Sequence, residues 1–178
     1  MNIHHRRITM SSESVFSFCH HCKLSDKCCR QLGLSFDLSA PVVTKDELKD
    51  MKRFLGTQVS SFTKSSVETT GQKINTIRIR ESGSCIFHEN GRCRIYEVRP
   101  FDCMIFPLDI FRLGAGLYWV IYNAFCEQEI EQARVLAYGE ALLANRQADF
   151  LTQFAWDAQK NPPKLTYSIL KGITPTLL

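Results

Sequence analysis

Eight cysteines carry whatever chemistry this chain has: Cys19, Cys22, Cys28, Cys29, Cys85, Cys93, Cys103 and Cys126. Four of them lie in CHHCKLSDKCC. Three more lie in CIFHENGRCRIYEVRPFDC, with Cys126 beyond. Thiols grouped this way form disulfides, hold a metal, or do redox and nucleophilic chemistry themselves. Disulfides need an oxidising compartment. The opening stretch MNIHHRRITMSSES is basic, but it is followed by neither an apolar run nor a small-residue cleavage site, so it does not read as a secretory leader. The expected location is a reducing cytoplasm, where clustered thiols are more often metal ligands than disulfides.

The spacings narrow the choice. Cys19-x-x-Cys22 has the interval of a metal knuckle, in which a short turn brings two thiolates to one centre. The same interval serves dithiol redox pairs, but no strand-helix-strand pattern surrounds it here and six other cysteines need a role. Cys28 and Cys29 are adjacent. Neighbouring side chains of an extended chain point to opposite faces. The doublet therefore suits two centres, or two irons of one cluster, better than one mononuclear ion. Four cysteines before residue 30 and four after residue 84 suffice for two tetrathiolate sites, or for one cluster plus structural thiols. Thiolates suit both zinc and iron–sulfur clusters. The expected cofactor is an iron–sulfur cluster, 4Fe–4S being one form, or Zn2+.

Other polar residues near the cysteines have plainer readings. His20, His21 and His88 are expected to be exposed or to support ligands rather than to bind metal. Tyr96 is expected in the core, with Pro100 ending a turn. Arg99 could face the negative charge of a thiolate cluster or pair with Glu97. An enzyme would need an open coordination position and acid–base groups, for which His88, Glu97 and Asp102 are the candidates. A cysteine redox sensor is the further alternative.

Several elements must position these residues. Residues 1–14 are polar and expected to be disordered, and 15–35 form the first cysteine loop. Thr44 and Glu47 of TKDE read as a capping box. Leu48, Met51 and Leu55 follow at helical spacing, with Gly56 as the stop. Residues 57–73 are rich in Ser and Thr and read as loop, with room for a short helical turn. INTIRIRE alternates as a half-buried strand, with Ile77 and Ile79 inward and Arg78 and Arg80 on a solvated face. Asn90-Gly91 is a turn that folds Cys93 back towards Cys85. MIFPLDIF and GLYWVIYNAF read as a hairpin joined by LGAG, with Pro107 at an edge or bulge.

The chemistry then stops. EQEIEQARVLAYGEALLAN reads as an amphipathic helix with Ile130, Ala133, Ala137 and Ala141 on one face and Gly139 as its weak point. A second helix is expected over QADFLTQFAWDAQK, ending at Asn161-Pro162-Pro163. Its stripe of Phe150, Leu151, Phe154 and Trp156 reads as core or partner contact, not a cofactor pocket. KLTYSIL adds a last strand or an arm. No repeat, Walker motif or dinucleotide glycine motif is present.

The totals agree with one folded unit and a small appendage. Of 178 residues, 44% are hydrophobic and 22% charged, as in ordinary globular chains. A net charge of +4 is too mild to argue for nucleic acid. The longest uncharged stretch, LGAGLYWVIYNAFC, falls short of the roughly 20 apolar residues a membrane helix needs and reads as a strand.

Taken together, FSFCHHCKLSDKCC and CIFHENGRCRIYEVRPFDCMIFP resemble the CxxCxxCC cysteine-cluster family, also called YkgJ-type, which is taken to chelate zinc or iron. The likeness covers about residues 16 to 126, and its second half is long and specific. In the first half, five residues separate Cys22 from Cys28 where the family has two. The resemblance implies metal ligation by the eight cysteines. A related segment occurs in flagellin lysine N-methylases, which are linked with an iron–sulfur cluster. No activity follows from that likeness.

The expected fold is α+β: a small irregular cysteine-rich metal-binding domain with short antiparallel strands, one N-terminal helix and two C-terminal helices. Its expected divisions are a disordered 1–14, a metal domain over 15–126, and a helical extension over 127–178, part of the same domain or an arm. The expected role is electron transfer or a structural or assembly module, with a protein partner on the C-terminal helices. A cluster- or zinc-dependent enzyme is the alternative.

Overall fold

A computed structural model describes residues 29, 39–67, 73–123, 131–146, 150–159 and 162–174. The calls on 1–14, on most of the first cysteine loop, and on Ile130 lie outside the described residues. Helices mix with short, mostly antiparallel strands.

Helix α1 spans Lys45–Leu55 and begins as its residue types dictate. Glu47 turns its carboxylate back so that Oε2 accepts the Thr44 amide at 3.0 Å and the Thr44 hydroxyl at 2.9 Å. Acidic residues fill its first turn and basic ones its last, matching the helix dipole. Gly56 closes it at φ 62°, with its N–H on Lys52 O. Met51 is its fully buried anchor.

The Ser/Thr-rich stretch is more ordered than its composition predicts. It forms helix α2 (Val59–Phe62) and strand β1 (Thr63–Val67), which pairs antiparallel with β2 (Lys73–Ile77) from Thr63↔Ile77 to Val67↔Lys73. No apolar alternation announces β1, because only Thr63 is buried and Lys64 to Val67 are exposed. Beyond β2, Ile79 bridges Cys85. A small hairpin follows, β3 (His88–Glu89) and β4 (Arg92–Cys93). Asn90 at φ 50° and Gly91 at φ 73° form its turn. Both central residues are left-handed, as the tight two-residue hairpin requires.

A 3-10 turn (Tyr96–Val98) leads into helix α3 (Phe101–Ile105). MIF was expected in a strand, yet Met104 and Ile105 are helical. Pro107 explains the shift: it has no N–H to donate to a ladder, and strand β5 (Leu108–Leu113) starts just after it. β5 pairs with β6 (Gly116–Tyr122) through Gly114-Ala115, with Gly114 at φ 61°. The full sheet runs β7-β5-β6-β8, where β7 is Trp156–Asp157 and β8 is Tyr167–Ile173. β7 pairs parallel with β5, an exception to the antiparallel expectation. KLTYSIL thus contributes to a strand, paired with β6.

Helix α4 covers Gln132–Leu143 and α5 covers Phe150–Phe154. The expected face of α4 is corrected: Ala133 and Ala137 are exposed, while Val135, Gly139 and Leu143 are buried. The larger apolar side chains take the core, and Gly139 gives the sheet room. A Cβ there would lie 3.0 Å from Leu108 Cδ1 and 3.1 Å from the Trp119 ring. α5 is shorter than expected because the chain leaves it to form β7. Phe150, Leu151 and Phe154 are buried with Phe101, Ile105, Leu108, Trp119 and Val135 in one apolar cluster. A second cluster gathers Val43, Met51, Phe62, Ile77, Cys85, Phe87 and Ile95, with Cys29, Cys93 and Cys103 against it. Among the described residues no helix is long and apolar enough to cross a membrane.

Candidate metal centre

Four of the eight sequence-predicted ligands, Cys19, Cys22, Cys28 and Cys126, lie outside the described residues. The other four converge. Cys29 is helical, and its carbonyl accepts the Cys85 N–H at 2.6 Å. Cys85 is buried at the bridge with Ile79. Cys93 sits on β4, directly opposite His88. Cys103 sits in α3. All four belong to the same apolar cluster. Cys85, Cys93 and Cys103 are thiols, not disulfides.

Their electrostatics describe a site that resists bare negative charge. Burial pushes the Cys103 thiol well above its ordinary range, and charge on Asp102, Cys85, Cys29 or Cys93 would push it further. Burial raises Cys85 too, with the neighbouring Cys93 adding to it. Against this, the Phe87 amide, the nearby Arg80 guanidinium and the His88 amide each lower it. Burial likewise raises Cys93, opposed by the Ile95 amide and by Arg99. Amide donors two residues after Cys85 and Cys93 stabilise the thiolate form. A cation among the sulfurs would remove the remaining penalty, because a coordinating thiol is deprotonated outright. The donor set therefore fits a thiophilic metal or cluster. Among the described residues, no three His, Cys, Asp or Glu side chains lie close enough to enclose an ion. The four thiols are electrostatic neighbours, which extends over longer distances than coordination does.

Supporting residues set where the ligands stand. Glu47 does more than cap α1. Its Oε1 accepts the Phe101 amide at 2.8 Å and meets Arg146 Nη2 at 3.3 Å. It thus ties α1 to the start of the helix that carries Cys103 and to the end of α4. The Asp102 carboxylate accepts the Val42 amide at 2.7 Å. Burial, and then the charge of Asp109, push Asp102 up to about 8. Asp109 accepts the Ile110 amide and the Tyr122 hydroxyl, both at 2.7 Å, and burial pushes it up to about 6. Burial and the Asp109 carboxylate push the Tyr122 hydroxyl upward in turn.

The remaining sequence candidates divide. His88 is buried on β3, and its backbone N–H donates to Cys85 O at 3.1 Å. Glu97 is exposed. Arg99 stacks over Tyr96, 3.9 Å from the ring centroid, and its charge acts to lower Cys93. His20 and His21 lie outside the described residues. Two contributors escaped the sequence. Arg80 is exposed, as expected, but its guanidinium also bonds the carbonyls of the Cys85 loop. The reach of Glu47 to Phe101 spans 54 residues, and no local pattern announces it.

No curated protein and no solved structure is similar enough to be matched to this chain. A family model does match, over residues 18–132, and its description is "CxxCxxCC: Putative zinc- or iron-chelating domain". That span holds all eight cysteines and the loops, hairpin and helix that bring Cys29, Cys85, Cys93 and Cys103 together, and it is more than half of the chain: the protein belongs to the CxxCxxCC family.

Proposed function

We propose that this protein uses its cysteine thiolates to hold an iron–sulfur cluster, with zinc as the competing occupant, and serves electron transfer or assembly. Cys29, Cys85, Cys93 and Cys103 supply one set of ligands. Cys19, Cys22, Cys28 and Cys126 complete that set or form a second. One observation carries this reading: Cys29, Cys93 and Cys103, from separate segments of the chain, all pack against the one apolar cluster that contains Cys85. When bound, a cluster supplies one-electron chemistry and zinc a structural crosslink.

The chain's own residues prepare the site. The apolar cluster packs against the thiols, the Phe87, His88 and Ile95 amides lower Cys85 and Cys93, and Arg80 and Arg99 oppose their charge. Such donors tune both affinity and potential. Raised thiols disfavour the redox-sensor alternative, because reactive cysteines have lowered pKa values. Asp102 and Glu97 offer little to an enzyme: the first is half-buried and accepts the Val42 amide, the second is exposed.

Anaerobic purification with analysis for iron, acid-labile sulfide and zinc tests the proposal. A brown protein with iron and sulfide in comparable amounts is expected, and Cys93→Ser or Cys103→Ser should lose them. Colourless protein with stoichiometric zinc replaces the cluster by structural zinc. A wild-type chain that binds neither metal overturns the proposal.

A further inference from the structure

Arg80 ends an alternating stretch in which its side chain should face solvent. It stays exposed, and its guanidinium also gathers the loop that carries Cys85. Nη1 donates to Cys85 O at 2.8 Å and His88 O at 2.9 Å, while Nη2 donates to Ile86 O at 2.8 Å. Three carbonyls from one short turn thus meet one planar cation, a task suited to the rigid fork of arginine.

The consequence lies on the other side of the peptide. Ile86 C=O and Phe87 N–H belong to one planar trans unit and point in opposite directions. Drawing that carbonyl towards Arg80 aims the Phe87 N–H away from it, and the amide of Phe87 acts to lower the Cys85 thiol. Other bonds hold the neighbouring peptides: Cys85 N–H on Cys29 O, and Ile86 N–H on Arg78 O at 3.3 Å. The 86–87 peptide is held by Arg80.

We infer that Arg80 is a positioning residue of the metal centre, holding the Cys85–His88 turn, and with it Cys85, through its clamp on three carbonyls. This rests on Cys85 being a ligand. A lysine would keep the charge, but its single ammonium cannot span the three carbonyls.

Zinc binding by the full chain tests it, with Zn2+ alone in competition with a chromogenic chelator. Arg80→Lys and Arg80→Gln are compared with Arg78→Gln, which removes a guanidinium bonded to Thr63 O at 2.9 Å from the same stretch. Both Arg80 variants should bind about 10–100-fold more weakly, and the Arg78 variant within about threefold of wild type. Cobalt substitution gives a second readout. The thiolate-to-cobalt charge-transfer band should shift in the Arg80 variants and stay fixed in the control, which a general loss of stability would not produce. If Arg80→Gln does not fold, Arg80→Lys carries the test. Wild-type affinity with an unshifted band in Arg80→Lys overturns the clamp. A wild-type chain that takes up neither zinc nor cobalt overturns the metal reading itself, so the two failures are distinct.

Discussion

A buried thiolate needs its charge answered, and at Cys85 and Cys93 backbone amides and a nearby guanidinium share that task. Asp109 is the contrasting residue, an acid kept from ionising. Burial holds its proton up to about pH 6, against an ordinary 3.8 that applies to the unfolded chain. Between those values the folded state binds more protons than the unfolded one, so this group makes stability fall as pH rises, by at most about 1.4 kcal/mol per pH unit. Above about 6 both states have lost the proton and its contribution levels off. Asp109→Asn cannot titrate. Urea unfolding from pH 4 to pH 7 should therefore show the variant gaining on wild type as pH rises through 3.8 to about 6. A constant difference across that range would mean that folding leaves the Asp109 carboxyl at its ordinary 3.8.

At the scale of elements, local chemistry was legible and long reach was not. The capping box of α1, the Asn90-Gly91 turn and the two-residue link of β5 to β6 each need particular residue types at adjacent positions, and those types stand in the sequence. β1 left no trace, since it buries only its first residue. The start of β5 was misplaced because an apolar run looks alike in a short helix and a strand. The four described thiols could be named from spacing. That Cys29 joins Cys85 through a backbone bond, and that Arg80 and Glu47 hold the ligand-bearing turns, depends on tertiary contacts. Gly139 shows the same limit. In sequence it weakens α4; in the fold it lets the helix approach Trp119 and Leu108. Gly139→Val should destabilise the chain by about 1–3 kcal/mol, because a branched side chain must displace buried neighbours. Thermal or urea unfolding measures this, and unchanged stability would show that the sheet yields to the helix.

Across the whole molecule, the two apolar clusters differ in what they need. The one built from β5, β6, α3, α4 and α5 contains Phe101, Trp119, Val135, Phe150 and other apolar residues, and no thiol lies among its buried members. The one under α1 and β2 includes Cys85, with Cys29, Cys93 and Cys103 packed against it. Metal removal leaves these thiols protonated, without the bond that joins segments far apart in sequence. Local opening follows local loss of contacts. Hydrogen exchange on the chelated protein should therefore be uneven. Amides of Phe87, His88 and Ile95 should exchange much faster than in the loaded protein, while those of Trp119, Val120 and Ile121 in β6 keep their protection. Uniform loss across both clusters would mean that the metal holds the entire fold. No change at Phe87 and Ile95 would mean that packing alone fixes the cysteine turns, and that the metal is a passenger in a site already formed.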